Sequence, residues 1–230
     1  MSGRISKTIA GGLFSIRPVV LLLFIAATVF LGFQASKIQL NTDIRKMVPL
    51  GHPYIQNFLE HKDDMSLGND VRVIVAETQS DDIFNPEYMT ALKEITDEVF
   101  ALDGVDPSKI SSLWTSNVRW NEVTEQGFQG GEVIPAGYDG SDETLEDLRT
   151  NVLRSGQVGR LVADNFQSSV VHAHLLDALG ENGVDIPVLA ARLEEIRATY
   201  QDKYPNVRIH IVGLAKKAGD VMAAAEEVAM

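Results

Sequence analysis

Two histidines two positions apart are the residues whose types and spacing most directly suggest chemistry. His172 and His174 lie in SSVVHAHLL, a β-branched run that predicts a strand, and residues two apart on a strand share a face. Two imidazoles on one face can contribute to a zinc site, which needs three or four ligands. The sequence fixes no third ligand nearby, and the chain has no cysteine. We therefore expect a solvent-facing stripe rather than a metal site.

The other residue types that enzymes use also lack the surroundings they need. No serine lies in a G-x-S-x-G or S-x-x-K context, and the glycines of residues 127–137 lack the strand and helix of a phosphate-binding loop. Acidic pairs are expected in loops or on solvated faces; they are Asp63-Asp64, Asp81-Asp82 and Glu194-Glu195. We predict that the chain is not an enzyme, and we assign it no catalytic, cofactor-binding or metal-binding residue and no cofactor.

Two tryptophans are candidates for an apolar binding surface. Trp114 and Trp120 lie close together in the sequence, near the end of a predicted strand. They could line a groove for an apolar ligand, but tryptophans in such positions more often anchor packing. The sequence leaves these two interpretations open.

The uncharged stretch Val19–Phe33, VVLLLFIAATVFLGF, predicts a membrane-spanning helix. Extended to Ile16 and Ala35 it reaches about 20 residues, enough for a hydrocarbon core of about 30 Å. A buried core helix fits less well because the stretch has no polar face. A cleaved signal peptide is an alternative, but no A-x-A site follows the stretch. We predict a transmembrane helix over residues 18–35 after a basic lead over residues 1–17.

The charge distribution predicts the orientation of this helix. Residues 1–35 hold three basic and no acidic residues, which leaves 17 basic and 32 acidic residues for the rest of the chain. Because basic segments stay in the cytoplasm, the N-terminus should be cytoplasmic and the main domain extracytoplasmic. In a bacterium this corresponds to the inner (cell) membrane with a periplasmic domain. A net charge of −12 also argues against a nucleic-acid partner.

The remaining pattern predicts an α+β domain over residues 36–218, followed by a lead-in to a further membrane helix over residues 219–230. The predicted strands are 71–78, 109–116, 168–176 and 207–213, and the predicted helices are 86–102, a capped helix between Ser141 and Gly156, and 187–203. We interpret residues 117–140 as an irregular insertion, and residues 157–163 as pairing with 168–176 in a hairpin. The order βαββαβ predicts a ferredoxin-like domain with a helical insertion.

One segment resembles a known family of transporters. In NTDIRKMVPLGHPYIQNF, residues 41–58, the matching residues are Thr42, Asp43, Ile44, Arg45, Met47, Pro49, His52 and Pro53. This segment resembles the one that follows the first membrane helix in exporters of the resistance-nodulation-division (RND) superfamily, in its MMPL-like branch. The similarity continues at SLWTSNVRWNEV, GRLVADNFQSSVVHAHL and VRIHIVGLAKKAGDVM.

This resemblance implies the N-terminal part of a proton-driven exporter of lipid-like or amphiphilic compounds, with a porter domain outside the membrane. Its partners would be the lipid bilayer, the remaining helices of the exporter, a hydrophobic or amphiphilic substrate, and further copies in a homo-oligomer. The proton relay would lie in helices beyond this chain, so the fragment alone should not transport. Two alternatives remain: a complete single-span anchored binding module, and a secreted domain released by signal peptidase.

Overall fold

The computed structural model describes residues 17–35, 51–65, 70–125, 127–176, 184–213, 215–217, 219–221 and 224. The chain divides into two units, Met1–Thr42 and Asp43–Met230. Residues 41–50 of the transporter-like segment lie outside the described residues, as does most of the lead-in predicted for residues 219–230.

The first unit contains the predicted apolar helix. Helix α1 spans Arg17–Ala35, with Pro18 in its first turn, where a missing N–H costs nothing. None of its 19 residues is buried, and its length and hydropathy suffice to cross a membrane. The Thr28 hydroxyl donates to the Phe24 carbonyl at 2.8 Å, so this polar group is satisfied within the helix.

The second unit is a mixed α+β fold, as predicted. Its helices are α2 (Pro53–Met65), α3 (Pro86–Phe100), α4 (Asp142–Arg154) and α5 (Ile186–Lys203), and its strands are β1 (Asp70–Glu77), β2 (Arg119–Thr124), β3 (Gly127–Glu132), β4 (Ser168–His174) and β5 (Val207–Gly213). A 3₁₀ turn spans Pro107–Lys109.

Three of the strands form one antiparallel sheet. Strand β1 lies between β4 and β5; it pairs with β4 from Asp70 to Ala76 and with β5 from Val71 to Glu77. Alternate residues of β1 are buried, among them Val71, Val73 and Val75. This alternation means that one face of the sheet belongs to the core.

Helices α3 and α5 supply the other half of this core. The α3 face predicted from its periodicity is fully buried, and its members are Tyr88, Leu92, Ile95 and Val99. The α5 residues Leu189, Leu193 and Ile196 are buried as well, as predicted, whereas Tyr200, the last residue of the predicted face, is half-buried. Asn85 caps α3 by accepting the Tyr88 backbone N–H at 2.8 Å, and Pro86 follows at the first helical position, so the predicted helix start is confirmed.

A buried carboxylate joins the ends of these elements. Glu77, at the end of β1, accepts backbone N–H groups from the next three residues and side-chain amides from Asn85 and Asn206. Burial by itself would raise the pKa of Glu77, but these hydrogen bonds outweigh it and lower the pKa below its usual 4.5. The charged form of Glu77 therefore links the end of β1 to the start of α3 and to the turn before β5.

The predicted strand over residues 109–116 is wrong. The chain forms the 3₁₀ turn at residues 107–109 and then touches the outer edge of β4 only at single bridges, Ser111 to His172 and Val105 to Leu175. Between these two bridges the loop advances six positions while β4 advances three, so the loop has three extra residues and a regular register cannot continue. The described part of the main sheet has three strands where four were predicted.

Two further predictions about loops also need correction. Residues 117–140, predicted as irregular, contain the hairpin of β2 and β3, paired from Arg119–Glu132 to Thr124–Gly127. Residues 157–163 form turns rather than a strand, and only their end pairs with β4, through the antiparallel bridge of Val162 to Ser169. The predicted chain reversal near residues 164–165 is confirmed, because Ala163 donates its backbone N–H to Ser168 across it at 2.9 Å.

Candidate functional site: a polar groove on the open sheet face

The second face of the three-stranded sheet is not covered like the first. Residues of β1, β4 and β5 that point away from α3 and α5 are exposed or half-buried; they are Arg72, Ile74, Ala76, Ser168, Val170, His172, Arg208, His210 and Val212. Apolar and charged side chains alternate across this face, since Ile74 lies between Val170 and His210, and Arg72 between His172 and Val212. This mixture distinguishes the face from the all-apolar core side.

Two loop segments build a wall along the edge of this face. His172 exchanges both backbone hydrogen bonds with Ser111, at 2.8 and 2.9 Å, and Val170 donates to the Leu161 carbonyl at 2.8 Å. The outer edge of β4 is thereby paired with loop backbone. A groove of about 390 Å³ lies between the sheet face and these segments. Its lining consists of Arg72, Ser111, Asn117, Val118, Gln157, Gly159, Arg160, Leu161, Val170 and His172.

Arg72, His172 and Asp70 form a charged cluster at the groove. The backbone N–H and C=O of His172 both bond to Ser111, so neither bonds to Arg72, the residue opposite it on β1. Arg72 and His172 therefore form a non-hydrogen-bonded cross-strand pair, the kind in which side chains approach most closely. Asp70 accepts from Arg72 through Nε and lies 3.0 Å from its Nη2, and the same carboxylate oxygen is 3.2 Å from His172 Nε2. One carboxylate therefore orients both the guanidinium of Arg72 and the imidazole of His172.

The loop segments contribute a second guanidinium and several neutral groups to the same groove. Arg160 is exposed and has no ion-pair partner among the described residues. The Asn117 amide is held by its donation to the Ile110 carbonyl at 2.8 Å. Ser111 and Gln157 add a hydroxyl and an amide, and Val118, Leu161 and Val170 add apolar wall. The groove combines cationic groups, neutral hydrogen-bonding groups and apolar surface.

The structure gives different surroundings to the two histidines that the sequence suggested as a pair. His172 lines the groove, whereas His174 is buried and does not. Burial lowers the pKa of His174, as do Lys109 and His172, while Asp70 and Asp106 act in the opposite direction. No group of three potential metal ligands occurs within the described residues.

Both tryptophans act as packing groups, and Trp114 also lines a groove. The indole of Trp114 donates to the Met89 carbonyl at 3.0 Å and meets Tyr138 edge-on. It lines a second concavity of about 480 Å³, together with Phe100. Trp120, on β2, lies under the guanidinium of Arg154, whose centre is 5.3 Å from the ring. The two interpretations that the sequence left open therefore both apply to Trp114.

The acidic pairs take part in local pairing. Asp82 binds Arg149 and accepts the Phe84 backbone N–H at 2.9 Å. Glu194 pairs with Arg197 and Lys216, and Glu195 with Arg192. The side chains of Asp63 and Asp64 lie outside the described residues. The glycines of residues 127–137 belong partly to the β2–β3 hairpin.

Sequence reasoning did not find the two arginines of the groove. The position of Arg72 could be predicted, because it lies between Val71 and Val73 in a strand; with those two residues in the core, Arg72 must lie on the opposite face. The position of Arg160 could not be predicted, because it lies in a turn whose position depends on pairing with β4.

Comparison with known proteins gives one distant relative. No family model matches the chain. A protein of Methanocaldococcus jannaschii named "Putative membrane protein MJ1562" is 28% identical over 169 residues, which cover 71% of this chain. The match spans 39% of that relative's length. The chain is thus similar to part of a longer protein that is named as a membrane protein.

Proposed function

We propose that this chain is the N-terminal part of a larger membrane exporter of the RND superfamily, MMPL-like branch, and that its α+β unit is a porter-type domain outside the membrane. In this proposal α1 crosses the bilayer with its N-terminus in the cytoplasm. The remaining helices supply the proton relay, and the substrate is lipid-like or amphiphilic. The observation that carries the proposal is the apolar helix α1, exposed along its length, with basic residues before it and a strongly acidic domain after it.

The strand order supports a porter-type domain. A ferredoxin-like βαββαβ unit has a four-stranded antiparallel sheet in which the first strand lies inside, next to the third and fourth. Here β5, β1 and β4 occupy three of these places. The segment around Ser111 takes the fourth place at the outer edge of β4. We therefore interpret the unit as ferredoxin-like, with its second strand reduced to bridges by the 3₁₀ turn.

The relative supports a longer parent protein. Its name places it among membrane proteins, and the matched region is 39% of its length. A chain that resembles only part of a membrane protein fits a domain that works with further membrane segments. α1 alone has no ionisable residue between Pro18 and Gln34, so it offers no site for proton coupling.

A second candidate function is an anchored binding module with a single membrane span. The polar groove favours it, because a preformed site within the domain could bind a ligand without further membrane helices. The two proposals differ in the coding sequence after Met230. An apolar run of about 20 residues soon after that codon would support the exporter. A stop codon there would support the anchored module.

Topology mapping tests the membrane assignment that both candidates share. The chain has no cysteine, so a cysteine introduced at Ser2 or at Glu125 is unique. Glu125 is exposed in the turn of the β2–β3 hairpin, so labelling there should not disturb the core. In intact cells an impermeant thiol reagent should label Glu125→Cys and should label Ser2→Cys only after lysis. Labelling of Ser2→Cys alone in intact cells would contradict the assignment.

A further inference from the structure

We propose that the groove on the open sheet face binds an oxyanion group, a phosphate or a carboxylate, between Arg72, His172 and Arg160. This inference concerns the domain alone and does not depend on export.

The charge of the lining is the first argument. Two guanidinium groups and one imidazole line the groove; the described lining residues include no carboxylate, but Asp70 pairs with Arg72 and His172 beside it. The rest of the chain is acidic, with a net charge of −12. The guanidinium of Arg160 is left without an ion-pair partner among the described residues, so the groove attracts anions more than the acidic surface around it does.

The fixed geometry of Arg72 is the second argument. Asp70 engages the Nε and Nη2 side of this guanidinium at 3.0 Å. The edge formed by Nη1 and Nη2 has no partner within the described part of the chain and can bind two oxygens of one anion side by side. Since Asp70 also holds His172 at 3.2 Å, both groups are oriented before a ligand arrives. Little side-chain entropy then has to be lost on binding.

The position of Arg160 is the third argument. It lines the same groove as Arg72 and His172 and has no ion-pair partner among the described residues. Asp70 balances one charge of the cluster, and the carboxylate of Asp164 lies against Gly159 at the loop wall. An oxyanion between Arg72 and Arg160 would contact the free edge of the Arg72 guanidinium and the guanidinium of Arg160, which pairs with no described carboxylate. Ser111 and Gln157 would supply neutral donors to its remaining oxygens.

Two sources of the oxyanion share this chemistry: a free anion and the phosphate headgroup of a lipid. Val118 and Leu161 are buried and Val170 is half-buried, so apolar contact for the glycerol and first methylenes of a lipid comes mainly from Val170; a free phosphate would gain nothing from this contact. The test therefore compares inorganic phosphate with a soluble short-chain lipid phosphate, dihexanoyl phosphatidic acid.

The experiment is calorimetric titration of the full 230-residue chain in neutral detergent micelles, in phosphate-free buffer of low ionic strength. We expect both probes to bind the unaltered protein. Arg160→Gln and Arg72→Gln should each weaken binding about tenfold or more, because each removes a charge-assisted interaction. Arg208→Gln is the matched control, since Arg208 is exposed on the same sheet face in β5 but does not line the groove.

The outcomes separate the possibilities. Binding that the groove substitutions weaken and Arg208→Gln leaves within about twofold supports the site. Tighter binding of phosphatidic acid than of phosphate then assigns a lipid headgroup, and equal binding assigns a free anion. No binding of either probe, or equal loss in Arg208→Gln, overturns the proposal. Arg160→Gln keeps the test valid even if Arg72→Gln disturbs the fold, because Arg160 is exposed and unpaired among the described residues.

Discussion

The three-stranded sheet and the β2–β3 hairpin are both antiparallel, yet they are stabilised in different ways. The sheet buries one face under α3 and α5, and Val71, Val73 and Val75 of its central strand are at most 1% exposed. No residue of β2 or β3 is buried. The cross-strand pair Val123 and Phe128 is 72% and 86% exposed. The hairpin is thus held mainly by its own backbone hydrogen bonds and by α4.

This difference explains which strands a sequence reveals. Burial of one face forces apolar residues to alternate, as in VRIHIVG of β5, and the alternation can be read directly. A ribbon with no buried face has no such constraint. The sequence of β3, GFQGGE, contains three glycines and no alternation. A strand can therefore be regular in structure although its sequence shows no alternation of apolar and polar residues.

The largest expected difference between the two regions concerns side-chain truncation. Leu92→Ala should lower the free energy of unfolding by about 2–5 kcal/mol, because it leaves a cavity between α3 and the sheet. Leu193→Ala on α5 should act alike. Phe128→Ala in the hairpin should cost less than about 0.5 kcal/mol. Urea denaturation followed by tryptophan fluorescence measures these values. Equal midpoints for Leu92→Ala and Phe128→Ala would contradict the comparison.

The next largest effect concerns Glu77, which has no counterpart in the hairpin. Glu77→Gln should cost about 1.5–3 kcal/mol at neutral pH, since it disrupts several hydrogen bonds to a buried charge. The exposed Glu125, changed to Gln, is the control for loss of one negative charge.

The pH dependence of the Glu77 effect follows from its lowered pKa. The stabilisation is fully present above its usual pKa of 4.5 and is lost as the pH falls through the folded-state value. The stability difference between wild type and Glu77→Gln should therefore shrink below about pH 4.5. A difference independent of pH would show that charge does not matter at this position.

A smaller effect is expected from His174 at the end of β4. Its pKa is lowered by burial, so the unfolded chain takes up a proton more readily than the folded one as the pH falls through about 6.5. Stability should therefore decrease over that range, and His174→Gln should remove part of the decrease. Unfolding curves recorded between about pH 7.5 and 5.5 test this. An unchanged slope in the variant would refute it.

The smallest effect concerns the attachment of the hairpin. Arg154 of α4 lies over the Trp120 ring and 3.5 Å from a carboxylate oxygen of Glu122. Both contacts are partly exposed, so Arg154→Gln should cost only about 0.5–1 kcal/mol. Faster hydrogen exchange of the β2 and β3 amides, with that of β1 unchanged, is the expected signature. Equal acceleration in both regions would mean that the hairpin and sheet unfold together.

The helices of the second unit were predictable because their signals are local. Asn85-Pro86-Glu87 specifies a helix start within three residues, and the spacing of the buried positions specifies its inner face. α4 follows the same rule, with Ser141 as its cap and Leu145, Leu148 and Val152 buried. The strand predicted at residues 109–116 failed because apolar residues there, Ile110 and Leu113, pack into the core from turns.

The candidate site was less predictable than the fold. Among the ionisable residues of the site, the sequence pointed only to His172. It did so as a possible metal ligand, and the described residues contain no cluster of metal ligands that would support this role. Arg72 and Arg160 are 88 positions apart. They line one groove only because β4 pairs with β1 on one edge and with loop backbone on the other.

The sequence by itself determined the apolar helix α1, the charge asymmetry around it, and the helices and strands whose periodicity reflects a single buried face. These features depend on residues within a few positions of one another and on the hydrophobic effect, which buries the apolar side chains. Tertiary structure alone decided the β2–β3 hairpin, the reduced edge next to β4 and the groove. The hairpin has no buried face to impose a side-chain pattern. The edge next to β4 and the groove depend on backbone hydrogen bonds between distant segments, and every residue except proline can make such bonds with both its N–H and its C=O. The order of side-chain types along the sequence therefore does not predict these features.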